Sequence, residues 1–329
     1  MSQADAATMR AVEIEGGVGP ADALKVVQVA RPVPKPGEVL IKVAAVGMNR
    51  ADYIQREGNY PPPPGASHIL GIEVSGTIAH PAGEWKVGDR VCALLGGGGY
   101  AEYAAVDARH VFAVPDNVDL IEAAGLPEAV LTVFVNAFEG VDLKAGETFL
   151  VHGATSGIGS CAVLMAKAAG ARVIATARGP EKAAAAKALG ADVVVDTRAE
   201  DFLPVALKEG GCDVVMDMVG GDEFFPKNIE ALKTTGRLSV IAALGGTKVE
   251  LDLMTLMFKR LTIYGSTLRA RSADEKARLI AEAKRRVWPW VVAGAVRPVV
   301  DRTFTLEQSP DAHRFLEAGQ YVGKVVITL

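Results

Sequence analysis

Apolar residues fall along this chain in two regimes. Through the first third, short runs rich in β-branched residues are separated by proline and glycine. They are RAVEI at 10–14, LKVVQVA at 24–30, VLIKVAAVG at 39–47, HILGIEVSGTIA at 68–79, DRVCALL at 89–95, YAEYAAV at 100–106 and HVFAVP at 110–115. Runs of this length bounded by turn residues predict strands. RPVPKPGE reads as a connection, and NYPPPPGAS cannot be regular structure because its prolines remove the amide donors. GGGGY at 96–100 reads as a flexible or tightly turned loop.

From about Leu120 the pattern changes. Continuous apolar runs at 148–153, 171–176, 192–196, 213–218, 236–241 and 261–266 now alternate with helical segments. Two alanine-rich helices, SCAVLMAKAAG and EKAAAAKALG, each end at a glycine, the residue favoured just past a helix C-terminus. Apolar strands separated by helices predict a parallel sheet covered on both faces, and six strands match a doubly wound dinucleotide-binding domain. After Leu268 a charged helix, SADEKARLIAEAKRRVWPWVVAG, is followed by a strand-like ending, YVGKVVITL.

The sharpest chemical signal is FLVHGATSGIGSCAVLMAKAAGARVIATAR, a strand running into small residues, then a helix, then a second strand. A pyrophosphate needs free backbone amides at a helix N-terminus and no side chains in its way. Ala154, Ser156 and Gly159 stand at the three glycine positions of G-x-G-x-x-G, with Gly157 between, so the bare motif is broken and the strand–turn–helix context carries the reading. An NAD site usually places an acid at the end of the second strand, against the ribose 2′-hydroxyl. Here Thr176 and Ala177 end the strand and Arg178 follows, with Lys182 nearby, so NADPH is the expected cofactor.

Composition narrows the field. A chain of 329 residues suggests two domains, and with 50% hydrophobic residues it has ample core material. The net charge of −4 argues against bulk binding of nucleic acid. Cys92, Cys161 and Cys212 are sparse and odd in number, which predicts no disulfide framework, no zinc spacing and a reducing compartment. No uncharged apolar run is long enough for a membrane span. MSQADAATMR has no apolar signal core, and residues before Met9 are expected to be a frayed tail or to follow an upstream start codon. A cytoplasmic protein is the expectation.

The chain resembles the zinc-free quinone oxidoreductase branch of the medium-chain dehydrogenase/reductase superfamily. The resemblance runs from Met9 to the end and rests on PGEVLIKVAAVGMNRADYIQREGNYPPPPGASHILGIEVSGTI, KVGDRVCALLGGGGYAEY, GLPEAVLTVFVNAF, HGATSGIG, LRARS and GKVVITL. Within the branch it is most similar to the tumour-suppressor-inducible quinone oxidoreductase subgroup and more distantly similar to zeta-crystallin. The resemblance implies an α/β protein with a discontinuous GroES-like β-rich catalytic domain, residues 1–126 and 267–329, and a Rossmann NADPH-binding domain, residues 127–266. Zinc members carry cysteine and histidine where this chain has Asn49 and Ile72, so a metal-free mechanism is implied. A quinone gains aromaticity on reduction and needs positioning more than activation, which suits a pocket without obvious acid–base pairs.

Carried over position by position, the resemblance offers Tyr60 and Tyr53 as candidate catalytic tyrosines and Ser156 as the candidate serine. Tyr60 is favoured for substrate and Tyr53 for cofactor. Asn49, Thr155, Gly157 and Ile158 are further expected cofactor contacts. So are Thr197, which replaces a larger residue at the adenosine phosphate, Ala242, Ala243 and Leu244 after the fifth strand, Ser266, Thr267 and Leu268 after the sixth, and Lys324. The expected partners are a small-molecule quinone or activated enone and a second copy of the chain, joined at the sheet edge near LTIYGS. The alternatives are an enoyl or alkenal reductase, and an NADPH-binding sensor or RNA-binding protein with little turnover. His68, His80, His110, His152 and His313 lack metal spacing and are expected to be structural or at the surface. The KRR run at 284–286 is expected to be a solvated helix face.

Overall fold

The computed structural model describes residues 7–329. Of the tail expected before Met9, residues 1–6 lie outside the described residues, whereas Thr8 already pairs with Ala30. The chain divides into two compact units. One holds the chain up to Ala129 with Arg269–Arg286 and Pro298–Leu329; the other holds Val130–Leu268 with Val287–Arg297.

In the first unit, β1 (Thr8–Ile14) and β2 (Leu24–Ala30) form an antiparallel ribbon. β3 (Glu38–Gly47), β4 (Glu73–His80), β5 (Arg90–Leu94), β6 (Tyr103–Asp107) and β7 (Val111–Ala113) build an antiparallel sheet. Two strands from the chain end, 300–305 and 324–328, extend it beside β3. Alternation along these strands sends Ile41, Val43, Val74, Ile78, Val91, Val111, Val325 and Ile327 into one core. HILGIEV is not strand throughout: pairing begins at Glu73, because Leu70 and Gly71 give their carbonyls to the amides of Tyr100 and Gly99 instead. The glycine run 96–99 is therefore a defined loop held against 69–71.

In the second unit, β8 (Thr148–Val151), β9 (Arg172–Ala177), β10 (Val193–Asp196), β11 (Cys212–Asp217), β12 (Leu232–Val240) and β13 (Thr262–Gly265) form the six-stranded sheet. Every pairing is parallel, in the order β10-β9-β8-β11-β12-β13. This is the doubly wound Rossmann order, and its direction of winding reverses between β8 and β11, where ligands meet the carboxyl ends of the strands. Leu150, Ile174, Val195, Val215 and Leu238 pack one face against Phe202, Phe225 and Ile229.

The single charged helix expected at 272–294 is in fact two, Ala273–Arg286 and Trp288–Val292, with Pro289 in the first turn of the second. Residues 287–297 group with the second unit, whereas the sequence placed them with the first. Buried Trp288, and Trp290 with its ring 5.7 Å from that of Phe138, supply the reason. The KRR run is not uniformly solvated. Lys284 lies over the rings of Trp85 and Phe112 at 5.4 and 5.8 Å, and only Arg285 is fully exposed. No helix among the described residues is long and apolar enough to cross a membrane. All three cysteines are free and buried.

Candidate active site

The second unit contains the glycine turn. β8 ends at Val151, Gly153 turns with φ of +61°, and the helix Gly157–Ala168 begins. Ser156 caps it: its Oγ accepts the Gly159 amide at 3.0 Å. The same hydroxyl lies 3.5 Å from the Met218 sulfur. A Cβ on Gly159 would stand 2.2 Å from the Gly153 carbonyl oxygen and 2.8 Å from Ala154 Cα, so helix and strand end meet here only because this residue has no side chain. Ala154 and Thr155 are buried, and Ser156, Gly157 and Ile158 are half-buried around the helix mouth. Small residues thus leave a helix N-terminus open at a strand end, the arrangement that accepts a diphosphate. Two glycines of the motif are dispensable because Ala154 and Ser156 fit their backbones.

Cations gather at the end of β9. Asp196, in register beside Ala177, is an acid near the ribose position that the sequence reading did not weigh. Its Oδ1 is committed to the backbone, accepting the amides of Gly179 at 2.7 Å and Arg198 at 3.0 Å. This clasp brings Arg198 Nη1 to 3.3 Å from the position of a Cβ on Gly179, beside exposed Arg178. The Arg178 and Arg198 guanidiniums make no hydrogen bond or ion pair among the described residues. Lys182 lies in the first turn of the next helix. The Thr197 hydroxyl donates to the Ala177 carbonyl at 3.2 Å, so it bonds the strand itself. The sequence did not point to Arg198; its only signal was a cation after DVVVDT.

The other strand ends close on one another. Glycines 220 and 221 let the loop after β11 touch Ala243 and Gly245 in the loop after β12, which carries Ala242–Leu244. Ser266 donates to Asn136 Oδ1 at 2.9 Å and Ser239 donates to the same oxygen at 3.0 Å. Asn136 sits in a π-helical stretch, Phe134–Glu139, a geometry that recurs at functional sites. Thr267 and buried Leu268 follow Ser266. His152 is buried, with Nε2 facing Asn228 Oδ1 at 2.7 Å and Nδ1 facing the Thr176 hydroxyl at 3.1 Å; burial lowers its basicity and keeps it structural.

In the first unit, Asn49 starts the helix Arg50–Arg56 and is locked in place. Its Nδ2 donates to Glu73 Oε1 at 2.8 Å and to Gly47 O at 3.2 Å, while its Oδ1 accepts Lys324 Nζ at 2.8 Å. Lys324 and Glu73, both buried, form an ion pair at 2.5 Å, and Glu73 Oε2 accepts the Glu128 amide at 2.8 Å. Asn49 and Lys324, named separately in the sequence as cofactor contacts, thus meet each other at the carboxylate of Glu73, which the sequence reading did not single out. Glu73 was visible as an acid inside the apolar run LGIEVSG. This donor set does not fit zinc. The oxygens of Asn49 and Glu73 are held by an ammonium, and Ile72 offers no ligand. Among the described residues no three His, Cys, Asp or Glu side chains could hold a metal ion together.

Tyr53 is half-buried against the core, with the Arg50 guanidinium 5.4 Å from its ring. Tyr60 stands at the end of the adjoining turn, 5.1 Å from the guanidinium of buried Arg269. Burial raises both phenols above their usual range, and at Tyr60 the Glu128 charge adds to this while Arg269 opposes it.

Behind Asn49 runs a buried polar chain. Asp52 accepts the Asn49 amide at 2.7 Å and the Tyr100 hydroxyl at 3.4 Å, and Tyr100 Oη meets His313 Nε2 at 3.2 Å. Arg56 can only donate, so His313 Nδ1 accepts from it at 3.2 Å and a neutral imidazole carries its proton on Nε2. Burial, with Arg56 beside it, holds His313 down to about 3, and burial pushes Asp52 up to about 6. His313 takes up a proton on unfolding at pH values between about 3 and its unfolded value near ~6.5, so its stabilisation is lost as pH falls through that window. Asp52 acts with the opposite sign, binding its proton more tightly in the folded state. Denaturant unfolding at several pH values should show the stability gap between the native protein and His313→Gln shrinking by about 1.4 kcal/mol per unit as pH falls from ~6 to ~4. A constant gap would refute this assignment.

These features define a dinucleotide fold joined to a GroES-like unit, and comparison with known proteins agrees. Residues 35–116 match the alcohol dehydrogenase GroES-like domain and residues 157–285 match the zinc-binding dehydrogenase family. The quinone oxidoreductase of Homo sapiens is 30% identical over 330 residues, covering 98% of each chain. A mycobacterial protein solved in complex with NADPH superposes with a TM-score of 0.86 at 29% identity, covering 98% of this chain and 100% of that one. The CurK enoyl reductase superposes with a TM-score of 0.85 at 26% identity, covering 97% and 99%. The chain belongs to the medium-chain dehydrogenase/reductase superfamily, among the homologues of its quinone oxidoreductases. It is an oxidoreductase of the nicotinamide-dependent fold.

Proposed function

We propose that this oxidoreductase takes electrons from NADPH and passes them to a quinone. The observation that carries the cofactor assignment is the end of β9, where two guanidiniums without partners stand beside a carboxylate already bound to backbone amides. A ribose 2′-phosphate supplies the missing counter-charge, whereas a 2′-hydroxyl leaves both cations unmatched. The second unit is the nucleotide-binding domain: the turn at Thr155–Ile158 takes the diphosphate, Arg178, Arg198 and Lys182 take the phosphate, and Thr197 braces the strand end. Ala242–Leu244 and Ser266–Leu268 face the nicotinamide end.

The first unit supplies the acceptor chemistry. Bound reduced nicotinamide provides a hydride. Tyr60 donates its phenolic proton to the oxygen that becomes anionic and recovers a proton from water. Tyr53 and Asn49 orient the reacting groups, and the Lys324–Glu73 pair fixes Asn49. Ser156 acts as the helix cap that shapes the phosphate site. The family relationship to human quinone oxidoreductase supports a quinone as acceptor, and the free, buried thiols agree with a cytoplasmic location.

Steady-state rates on a quinone panel and an enone panel, each with NADPH and NADH, test this reading. NADPH with quinones should give the highest kcat/KM. The likeness to the CurK enoyl reductase supports a second reading, double-bond reduction, which a large enone preference would establish. Tight NADPH binding with no turnover on either panel would return the binding-protein alternative.

We also propose a homodimer. The helix Leu253–Lys259 buries none of its residues, leaving Met257 64% and Phe258 73% exposed beside the unpaired edge of β13. Phe258→Asp with Met257→Asp should convert the dimer to a monomer in sedimentation. A wild-type protein that sediments as a monomer at all concentrations would reject the dimer.

A further inference from the structure

Arg269 is 5% exposed, yet none of its hydrogen bonds goes to a carboxylate. Its Nε and Nη2 donate to Gly96 O at 3.0 and 2.8 Å, Nη2 also donates to Gln55 Oε1 at 2.7 Å, and Nη1 reaches Tyr60 O at 3.5 Å. Gln55 is in turn held by its own donation to His68 O at 3.1 Å. The guanidinium therefore ties three segments together: the turn after residue 55, the glycine loop at 96, and its own segment. It grips Tyr60 twice, through the backbone and across the ring face.

A buried cation with only neutral partners is expensive, because desolvation is offset by no opposite charge. A neutral donor could satisfy these carbonyls at lower cost. What a neutral group could not do is set the electrostatic environment of the Tyr60 ring. The nearby acids, Asp52 and Glu128, act on Arg269 only at a distance, and Lys276 on the following helix adds positive charge of its own. The charged groups that bear on the Tyr60 phenol are Arg269 and Glu128, of opposite sign.

We propose that Arg269 is a positioning residue for the reduction, clamping Tyr60 in place and favouring the phenolate that remains once Tyr60 has given up its proton. The inference rests on the reading of Tyr60 as proton donor. In that step the acceptor receives the hydride, the Tyr60 O–H bond breaks as the proton moves to the acceptor's anionic oxygen, and water re-protonates the phenolate. A lysine keeps the charge but cannot reach Gly96, Gln55 and Tyr60 at once, since it lacks the planar fork.

The test is a double-mutant cycle of Arg269→Lys with Tyr60→Phe, joined to a titration of the nucleotide-free protein. Arg269→Lys should lower kcat by about tenfold with the KM for NADPH unchanged, and should have less than about twofold effect in the Tyr60→Phe background. Additive losses would overturn the proposal, because a merely structural role does not require Tyr60. In the nucleotide-free protein labelled with 13C at the tyrosine ζ-carbon, Arg269→Gln should move the Tyr60 titration to higher pH. An unmoved titration would also overturn it. If Arg269→Gln fails to fold, Arg269→Lys decides through the cycle. If the wild type turns over neither quinones nor enones, the parent reading fails, and the titration, which needs no turnover, still decides whether Arg269 acts on Tyr60.

Discussion

Alanine at both Arg178 and Arg198 is expected to lower kcat/KM for NADPH by roughly a thousandfold while changing that for NADH by less than about threefold. Each guanidinium meeting a phosphate is worth about 2 kcal/mol, or roughly 30-fold, and the two lie on separate loops joined only through Asp196. Each single substitution should therefore give part of the loss. Steady-state kinetics with both nucleotides checks this. An NADPH preference that survives the double substitution would remove the 2′-phosphate from this corner. Asp196→Asn provides a control of a different kind. It leaves an Oδ1 to accept the Gly179 and Arg198 amides but removes the charge that strengthens both bonds, so it should shift NADPH affinity far less than loss of either guanidinium.

The second large effect concerns Gly159. Gly159→Ala should abolish measurable binding of NADPH and NADH in calorimetry and destabilise the second unit by about 2–3 kcal/mol. The added carbon would meet the Gly153 carbonyl oxygen at 2.2 Å, a contact that must be relieved by moving the helix off the strand end. That movement takes the open amides of the helix mouth away from the place a diphosphate would occupy. Ser156→Ala is the milder comparison. It removes one cap, worth about 1 kcal/mol, and should leave binding weakened but measurable. Unchanged nucleotide affinity in Gly159→Ala would mean that the turn at 153–159 is not where the cofactor sits.

Much of the architecture is legible in the sequence. The inner parallel strands β8, β9 and β11 announce themselves as continuous apolar runs because a sheet covered on both faces asks for apolar residues at nearly every position, whereas the edge strand β13 is largely exposed. Boundaries were harder wherever a distant partner decides the hydrogen bonding. HILGIEV looks like strand throughout, but residues 70 and 71 bond to the glycine loop. The charged stretch 272–294 reads as one helix although it forms two, since nothing in its helical period shows that Trp290 packs against Phe138 and groups with the second unit.

The candidate site divides along the same line. Motif residues such as Gly159 and Ser156 act within a few positions of one another, so spacing along the chain describes them. Glu73 and Lys324 meet across 251 positions, and Arg269 reaches Gln55 across 214. Arg198 comes to Gly179 only because β9 and β10 lie in register.

Residue order alone was enough to specify the strand–turn–helix seat for a nucleotide and the parallel sheet around it, since each follows from side-chain type and near-neighbour spacing; that Asn49 and Ile72 stand where zinc members carry ligands came from the family resemblance. Folding in three dimensions chose which polar side chains face one another: Lys324 with Glu73 and Asn49, Arg269 with Tyr60, His313 with Tyr100. These encounters depend on how strands register and loops close, and the energy that selects them is spread over the whole core rather than written at the residues that meet.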